Sequence, residues 1–277
     1  GRGATRDSRR DQRWVQNQIQ NSPEGRTLGK SVDLHRIRLV TFDLDNTLWD
    51  VWPVIERANH VFLIWLRDRY PDLAERFQPS AVALARQQLL AREPGLEQQP
   101  TRFRKALMAR VLAAAPEAPI DAGLARVVEE GFAVFYAERN KIELFAGALD
   151  LLEALRPLRT LIAISNGNAD LRRIGLMGVF SHQLVAEHTR RPKPDPYMFE
   201  EALRLAGVRP DEALHVGDHW EEDVVAARQV GMQAIWFAPG SAAPAPSMAL
   251  ENPHSPARDH SVIRVGSFSE LAALLLP

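Results

Sequence analysis

The chain has 277 residues, 45% hydrophobic and 25% charged, with 34 basic and 35 acidic side chains and no cysteine. Those proportions suit a globular chain of one large domain or two modest ones and exclude wholesale disorder. The missing cysteines exclude a disulfide scaffold, a thiolate nucleophile and sulfur-ligated zinc. A net charge of −1 argues against general affinity for nucleic acid or a membrane surface, and no apolar run reaches the ~18 residues of a transmembrane helix.

Residues 1–30 carry seven basic against three acidic side chains and no hydrophobic period. They read as a disordered basic tail, in preference to a nucleic-acid or targeting arm. Order begins with the β-branched run Ile37–Phe42, a strand stopped by Asp43-Leu44-Asp45-Asn46-Thr47. From Pro53 the period changes: Val54, Ala58, Val61, Phe62, Trp65 and Leu66 recur at threes and fours, which predicts a helix. Further helices are predicted over Pro79–Arg92, Thr101–Ala115 and Asp121–Glu138, with no strand-like run before Leu144.

Beyond Gly147 the pattern alternates. A helix over Leu149–Arg156 precedes a strand over Thr160–Ser165, then a short helix near Asp170–Gly175 and a strand over Gln183–Ala186. Helix Pro196–Ala206, strand Ala213–Val216, helix Asp223–Val230 and strand Gln233–Phe237 follow. A Pro-rich loop (Pro239, Pro244, Pro246, Pro253), strand Val262–Val265 and helix Phe268–Leu276 complete the chain. Strands alternating with helices predict an α/β fold, a doubly wound parallel sheet with right-handed crossovers. The core would take residues 31–51 and 146–277, with an all-helical domain inserted over 52–145.

In such sheets ligands bind outside the carboxyl ends of the strands. Three predicted strands end there in polar clusters: Asp43/Asp45/Thr47, Ser165/Asn166, and Asp218 with Glu221, Glu222 and Asp223. A fourth element, Arg190-Arg191-Pro192-Lys193-Pro194-Asp195, lies between the last two. Converging carboxylates repel one another unless a hard cation neutralises them, and such oxygen donors suit Mg²⁺. An aspartate nucleophile, Mg²⁺, a lysine and short hydroxyl or amide donors describe phosphoryl transfer through an aspartyl-phosphate.

At these residues the chain resembles the haloacid dehalogenase superfamily, four of whose motifs occur in order from Ile37 to Phe237. They are Asp43-x-Asp45-x-Thr47, Ser165-Asn166-Gly167, Lys193 in the run R-P-K-P-D-P-Y-M-F, and Gly217-Asp218 with Asp223. The resemblance implies a Rossmann-like core and a C1-type helical cap, and a role for each residue. Asp43 would be the nucleophile. Asp45 would act as acid and then base, its backbone carbonyl helping to hold Mg²⁺. Thr47 would support the loop. Ser165 and the backbone N–H of Asn166 would bind the phosphoryl oxygens, and Lys193 would stabilise nucleophile and phosphate. Asp218 would ligate Mg²⁺ directly, with Asp223 a second ligand or a support. Many relatives have Asn where this chain has Glu222. The dehalogenating branch lacks an acid at the Asp45 position, so phosphate chemistry is expected here. The stretches F-D-L-D-N-T-L-W-D, W-P-V-I-E-R, E-P-G-L…T-R-F-R and I-S-N-G-N-A are similar to a bacterial subgroup. Its phosphatases act on 5-amino-6-(5-phosphoribitylamino)uracil in riboflavin biosynthesis and on other small phosphoesters, including FMN.

The cap candidates for substrate specificity are Arg102, Arg104 and Trp52, each set against a plainer reading: a solvated helix face for the arginines, hinge packing for Trp49 and Trp52. Arg190 and Arg191 brace the phosphate or simply flank Lys193. His219 stands beside Asp218 where the motif tolerates variety, and His182 and His188 read as surface residues. The expected protein is a cytoplasmic phosphatase of small phosphorylated metabolites, monomeric or homodimeric. Two other readings fit the same residues: a sugar-phosphate mutase, disfavoured by Thr47, and a phospho-metabolite-binding protein without turnover.

Overall fold

The structure, a computed structural model, describes residues 34–113, 120–239 and 262–277. The tail over 1–30, Pro116 and Pro119, and most of the Pro-rich loop lie outside the described residues. No helix among the described residues is long and apolar enough to cross a membrane.

Among the described residues six parallel strands form one sheet in the order β3-β2-β1-β4-β5-β6: β1 (Leu39–Phe42), β2 (Thr160–Ser165), β3 (His182–Val185), β4 (Ala213–Gly217), β5 (Gln233–Phe237) and β6 (Ile263–Val265). Strand β1 is central and wholly buried, which is why it reads as a continuous apolar run. Its side chains alternate between two cores. Val40 and Phe42 pack with Leu161, Val216 and Phe237 beneath α6 (Ala148–Leu155) and α11 (Phe268–Leu275). Leu39 packs with Ile162, Ala213 and Ala234 beneath α9 (Tyr197–Ala206). Connections leave β1 and β4 in opposite directions along the sheet, so their adjacent carboxyl ends open a crevice.

Between β1 and β2 the described residues form five α-helices: α1 (Val51–Arg69), α2 (Pro71–Ala74), α3 (Pro79–Arg92), α4 (Pro100–Leu112) and α5 (Ala122–Arg139). Asp50 caps α1 by accepting from Trp52 N at 3.0 Å, a contact worth about 1 kcal/mol. Phe62 and Leu66 of α1 share a separate core with Met108 and Leu112 of α4 and Val128, Phe132 and Phe135 of α5. Gly131 lets α1 and α5 close on each other, because a Cβ there would stand 2.8 Å from Phe62 and 2.9 Å from Trp65. The predicted helix over 101–115 stops at Leu112.

The short helices α7 (Leu171–Ile174), α8 (Ala186–Thr189) and α10 (Ala226–Gln229) join the strands. The regular helix expected over 223–230 is a correction. Residues Trp220–Val225 form a π-helical turn, and only Ala226–Gln229 are α-helical. The widened turn carries Asp223 inward, a common use of π turns at working sites.

Candidate active site

Asp43 leaves the end of β1 with its N–H still paired to Val216 O of β4, at 2.9 Å, so the sheet fixes its backbone. The loop then turns tightly, with Asn46 in the left-handed region (φ 62°) and its N–H on Trp49 O at 2.7 Å. That turn brings Thr47 back to the strand end. Its hydroxyl lies 3.3 Å from Asp43 Oδ2 and 3.2 Å from Asp218 Oδ1, close enough to donate to either.

Lys193 is almost wholly buried and donates from Nζ to Asp43 Oδ1 at 2.7 Å and to Asp223 Oδ1. Asn166 holds the lysine in place through its main chain. It accepts from Lys193 N at 2.8 Å and donates to Lys193 O at 2.9 Å, while also donating to Glu222 Oε2 at 2.9 Å. Glu222 is therefore tied to the motif loop and does not join the carboxylate cluster. Ser165 ends β2 with its Oγ accepting from Gly167 N at 3.0 Å, its own hydroxyl proton free to donate.

Asp223 is committed on both oxygens. Oδ1 meets Lys193 and His215 Nε2 (3.1 Å), and Oδ2 accepts from His219 N at 2.9 Å. His215 lies in β4 opposite Thr41 of β1, with Thr41 Oγ1 2.7 Å from Nδ1. A buried chain of polar contacts thus runs from Thr41 through His215, Asp223 and Lys193 to Asp43.

Burial pushes Asp43 well above the usual carboxylate range; Lys193 opposes this, while Asp223 and Asp218 add to it. Burial and the charge of Asp223 raise Asp218 to about 6. Asp223 goes the other way. Burial would raise it, but the Lys193 charge and the His215 hydrogen bond hold it below its ordinary value. Burial pulls Lys193 down, yet Asp223 and Asp43 together keep it above the usual lysine range. His215 is lowered, chiefly by burial.

Asp43, Asp218 and Asp223 each offer an oxygen, all within 4.8 Å of one another. Three carboxylates face one lysine, and two of them are raised. This is an oxygen-only site with uncompensated negative charge, which fits a hard divalent cation such as Mg²⁺. The Asp45 carboxylate stands outside this cluster, leaving its backbone carbonyl for the metal role that the resemblance implied. Its side chain accepts from Trp49 Nε1 at 2.9 Å and from Arg139 Nη2 at 2.8 Å and 2.7 Å.

Arg139 and His215 escaped the sequence reading. Arg139 closes α5 on the stripe Val128, Phe132, Phe135, so the signal was a cation in the register of buried apolar residues. His215 was visible only as a polar residue inside a buried strand.

The three cap candidates separate. Trp52 is 68% exposed, and Arg102 forms an exposed ion pair with Glu93. Among the described residues, no hydrogen bond or ion pair joins either to the carboxylates. Arg104 is partly buried, donates to Asn59 Oδ1 at 2.8 Å and lies over the Phe135 ring at 4.2 Å. Burial, with Arg86 nearby, lowers it to about 10. The alternative of hinge packing holds for Trp49, which is fully buried and bridges to Leu144.

A model of the haloacid dehalogenase-like hydrolases matches residues 37–231. The chain belongs to this family. It is 35% identical over 213 residues to the 5-amino-6-(5-phospho-D-ribitylamino)uracil phosphatase YigB of Escherichia coli (strain K12), covering 74% of this chain and 85% of that protein. It is 34% identical over 225 residues to a phosphoserine phosphatase of Thermus thermophilus, covering 72% and 88%. Among solved structures, one described as a 2-haloacid dehalogenase from Pseudomonas syringae pv. Tomato DC3000 superposes with a TM-score of 0.73. The two are 35% identical, over 86% of this chain and 98% of that one. With the family assigned and its long-matching curated relatives named as phosphatases, the chain is a phosphatase of the haloacid dehalogenase-like type.

Proposed function

We propose that the chain is a Mg²⁺-dependent phosphatase of a small phosphorylated metabolite, working through a phosphoryl group carried on Asp43. The observation that carries this reading is the Asp43 carboxylate at the crevice of the sheet, held by Lys193 at 2.7 Å and beside Asp218. Carboxylate oxygens of Asp43 and Asp218 and the carbonyl of Asp45 would hold the metal, while Asp223 serves Lys193, His215 and the His219 N–H. When bound, Mg²⁺ would neutralise charge on the phosphoryl oxygens and the carboxylates.

An Asp43 oxygen attacks phosphorus, and the bond from phosphorus to the ester oxygen breaks. The departing oxygen takes a proton from Asp45. Asp45 then removes a proton from water, whose oxygen attacks phosphorus; the bond to Asp43 breaks and inorganic phosphate leaves. Lys193, Ser165 and the backbone N–H of Asn166 stabilise charge on the phosphoryl oxygens throughout. The helical insert closes over the site and excludes water, which favours small substrates over proteins or structured nucleic acid. Arg104 has no carboxylate partner among the described residues and would face the polar end of the substrate. Similarity to the Escherichia coli enzyme makes 5-amino-6-(5-phospho-D-ribitylamino)uracil the first substrate to try, with FMN beside it.

The test is phosphate release from a panel holding that compound, FMN, phosphoserine, sugar phosphates and nucleoside monophosphates, with and without Mg²⁺. Selective Mg²⁺-dependent release, absent in Asp43→Asn, is the expected result. Halide release from 2-haloacids with no phosphate release would overturn the reading, since Asp45 supplies an acid that halide departure does not need.

A further inference from the structure

Asp45 is the acid and base of the proposed reaction, but nothing in its own loop donates to its carboxylate except Trp49. Among the described residues the other donor comes from 94 residues away, the last residue of α5. Arg139 is 2% exposed at its side chain and reaches both Asp45 oxygens through Nη2. Its Nη1 is buried without an acceptor among the described residues. A guanidinium buried with unused donor capacity is costly, and a hydrophobic residue at this place in the α5 stripe would pack without that cost.

The surroundings tie this pair to the reaction rather than to packing. A Cβ on Gly167 would overlap Asp45 Oδ2, stand 3.3 Å from Ser165 Oγ and 3.5 Å from Arg139 Nη2. Glycine at 167 thus leaves room for the guanidinium, the Asp45 carboxylate and the phosphate-binding serine to crowd around one backbone atom. The insert that carries Arg139 also touches the core beside this loop: Asn168 Nδ2 donates to Thr101 Oγ1 at 3.2 Å, and Asp170 N donates to Asn140 Oδ1 at 2.7 Å.

We infer that Arg139 is the positioning residue for Asp45, supplied by the helical insert so that the proton-transferring carboxylate is oriented only when α5 is seated on the core. The inference rests on the phosphatase reading above. Its chemistry is specific. Losing Arg139 should impair proton delivery to a leaving oxygen that needs it and spare one that departs as a stable anion.

The experiment measures kcat/KM, which reports the steps through phosphoryl transfer to Asp43, for a simple alkyl phosphate and for p-nitrophenyl phosphate. Arg139→Met is expected to lower the alkyl value at least ~10-fold and the nitrophenyl value less than ~3-fold, with partial recovery in Arg139→Lys. In an Asp45→Asn background, Arg139→Met should add no further loss, because the arginine acts through that carboxylate. Thermal melting accompanies each variant, and Arg139→Lys, which keeps a buried cation, carries the test if Arg139→Met does not fold. Equal losses on both substrates, or an additive loss in the Asp45→Asn background, would overturn the inference while leaving the phosphatase reading standing. No phosphate release by the wild-type protein from these two substrates or from any member of the metabolite panel, or full activity in Asp43→Asn, would sink both.

Discussion

Lys193 and Asp43 lie 150 residues apart in the chain and 2.7 Å apart in the fold, and the same ammonium also reaches Asp223. One buried cation therefore holds two buried carboxylates together. Lys193→Met removes it and leaves the two carboxylates without a cation between them. The metal-free variant is expected to lose about 3–5 kcal/mol of stability, the cost of breaking a buried ion pair from one side. Added Mg²⁺ should recover part of this. Turnover should fall ~100-fold or more, as when a charge-stabilising group is removed from an active site. Thermal melting with and without Mg²⁺ and steady-state phosphate release check both; unchanged kcat would displace the lysine from its role.

Mg²⁺ binding should depend on pH through Asp218, raised to about 6 by burial and by Asp223. In the metal-free protein the folded state binds this proton more tightly than the unfolded one. The group therefore favours folding at low pH, and that contribution is lost as pH rises from about 4 through 6. The metal needs the ionised form, so below pH ~6 each unit should weaken apparent Mg²⁺ affinity up to about tenfold. Melting shifts at fixed Mg²⁺ should be larger at pH 7.5 than at pH 5. An equal shift at both would show that Asp218 is not a ligand.

His215, lowered by burial, is neutral at physiological pH, and its contacts then assign the proton to Nε2, facing Asp223, with Nδ1 accepting from Thr41. His215→Phe preserves the ring against Phe199 but strips Asp223 Oδ1 of a donor. A stability loss of about 1–3 kcal/mol is expected by denaturant titration. Phosphate release should slow through kcat more than KM, because Asp223, with one anchor fewer, would hold Lys193 less firmly.

Gly217 has no room for a side chain, since a Cβ would overlap Asp223. Gly217→Ala should shift Asp223 and with it Lys193. Phosphate release should fall by up to about 100-fold, the scale set by a 1 Å misplacement of a reacting group. A variant with native kcat would mean that the π turn absorbs the methyl group without moving Asp223.

Arg102→Ala should leave the melting temperature unchanged, because its ion pair with Glu93 is exposed. Arg104→Ala should lower it, since that partly buried guanidinium packs on Phe135 and binds Asn59. Comparing the two melts separates the surface arginine from the partly buried one.

The strands that bear the site were legible because burial on both faces of a parallel sheet leaves uninterrupted apolar runs. Thr160–Ser165 and Gln233–Phe237 have the predicted bounds, and Asp43, Ser165 and Asp218 stand at or just past strand ends as expected. What was not legible depends on distance in space. No local pattern says that the arginine ending α5 meets Asp45, or that a histidine within β4 reaches the aspartate beyond the next turn. The π turn was invisible for the same reason: the pull on Asp223 comes from Lys193, His215 and the His219 N–H, and helical periodicity carries no trace of it.

The two chain crossings between core and insert run side by side. Trp49 bridges to Leu144, and Phe145 N donates to Leu48 O at 2.8 Å. Paired backbones at such a bridge lie about 5 Å apart, a span that a tight turn closes. The insert is thus a cassette whose two ends already meet. Recombination could remove it, lengthen it or replace it with another helical bundle without reopening the sheet. Exchange at this junction would leave Asp43, Lys193 and Asp218 in place, yet it would also replace the helix end that holds Asp45. A new substrate preference acquired this way would arrive with its own control over proton transfer.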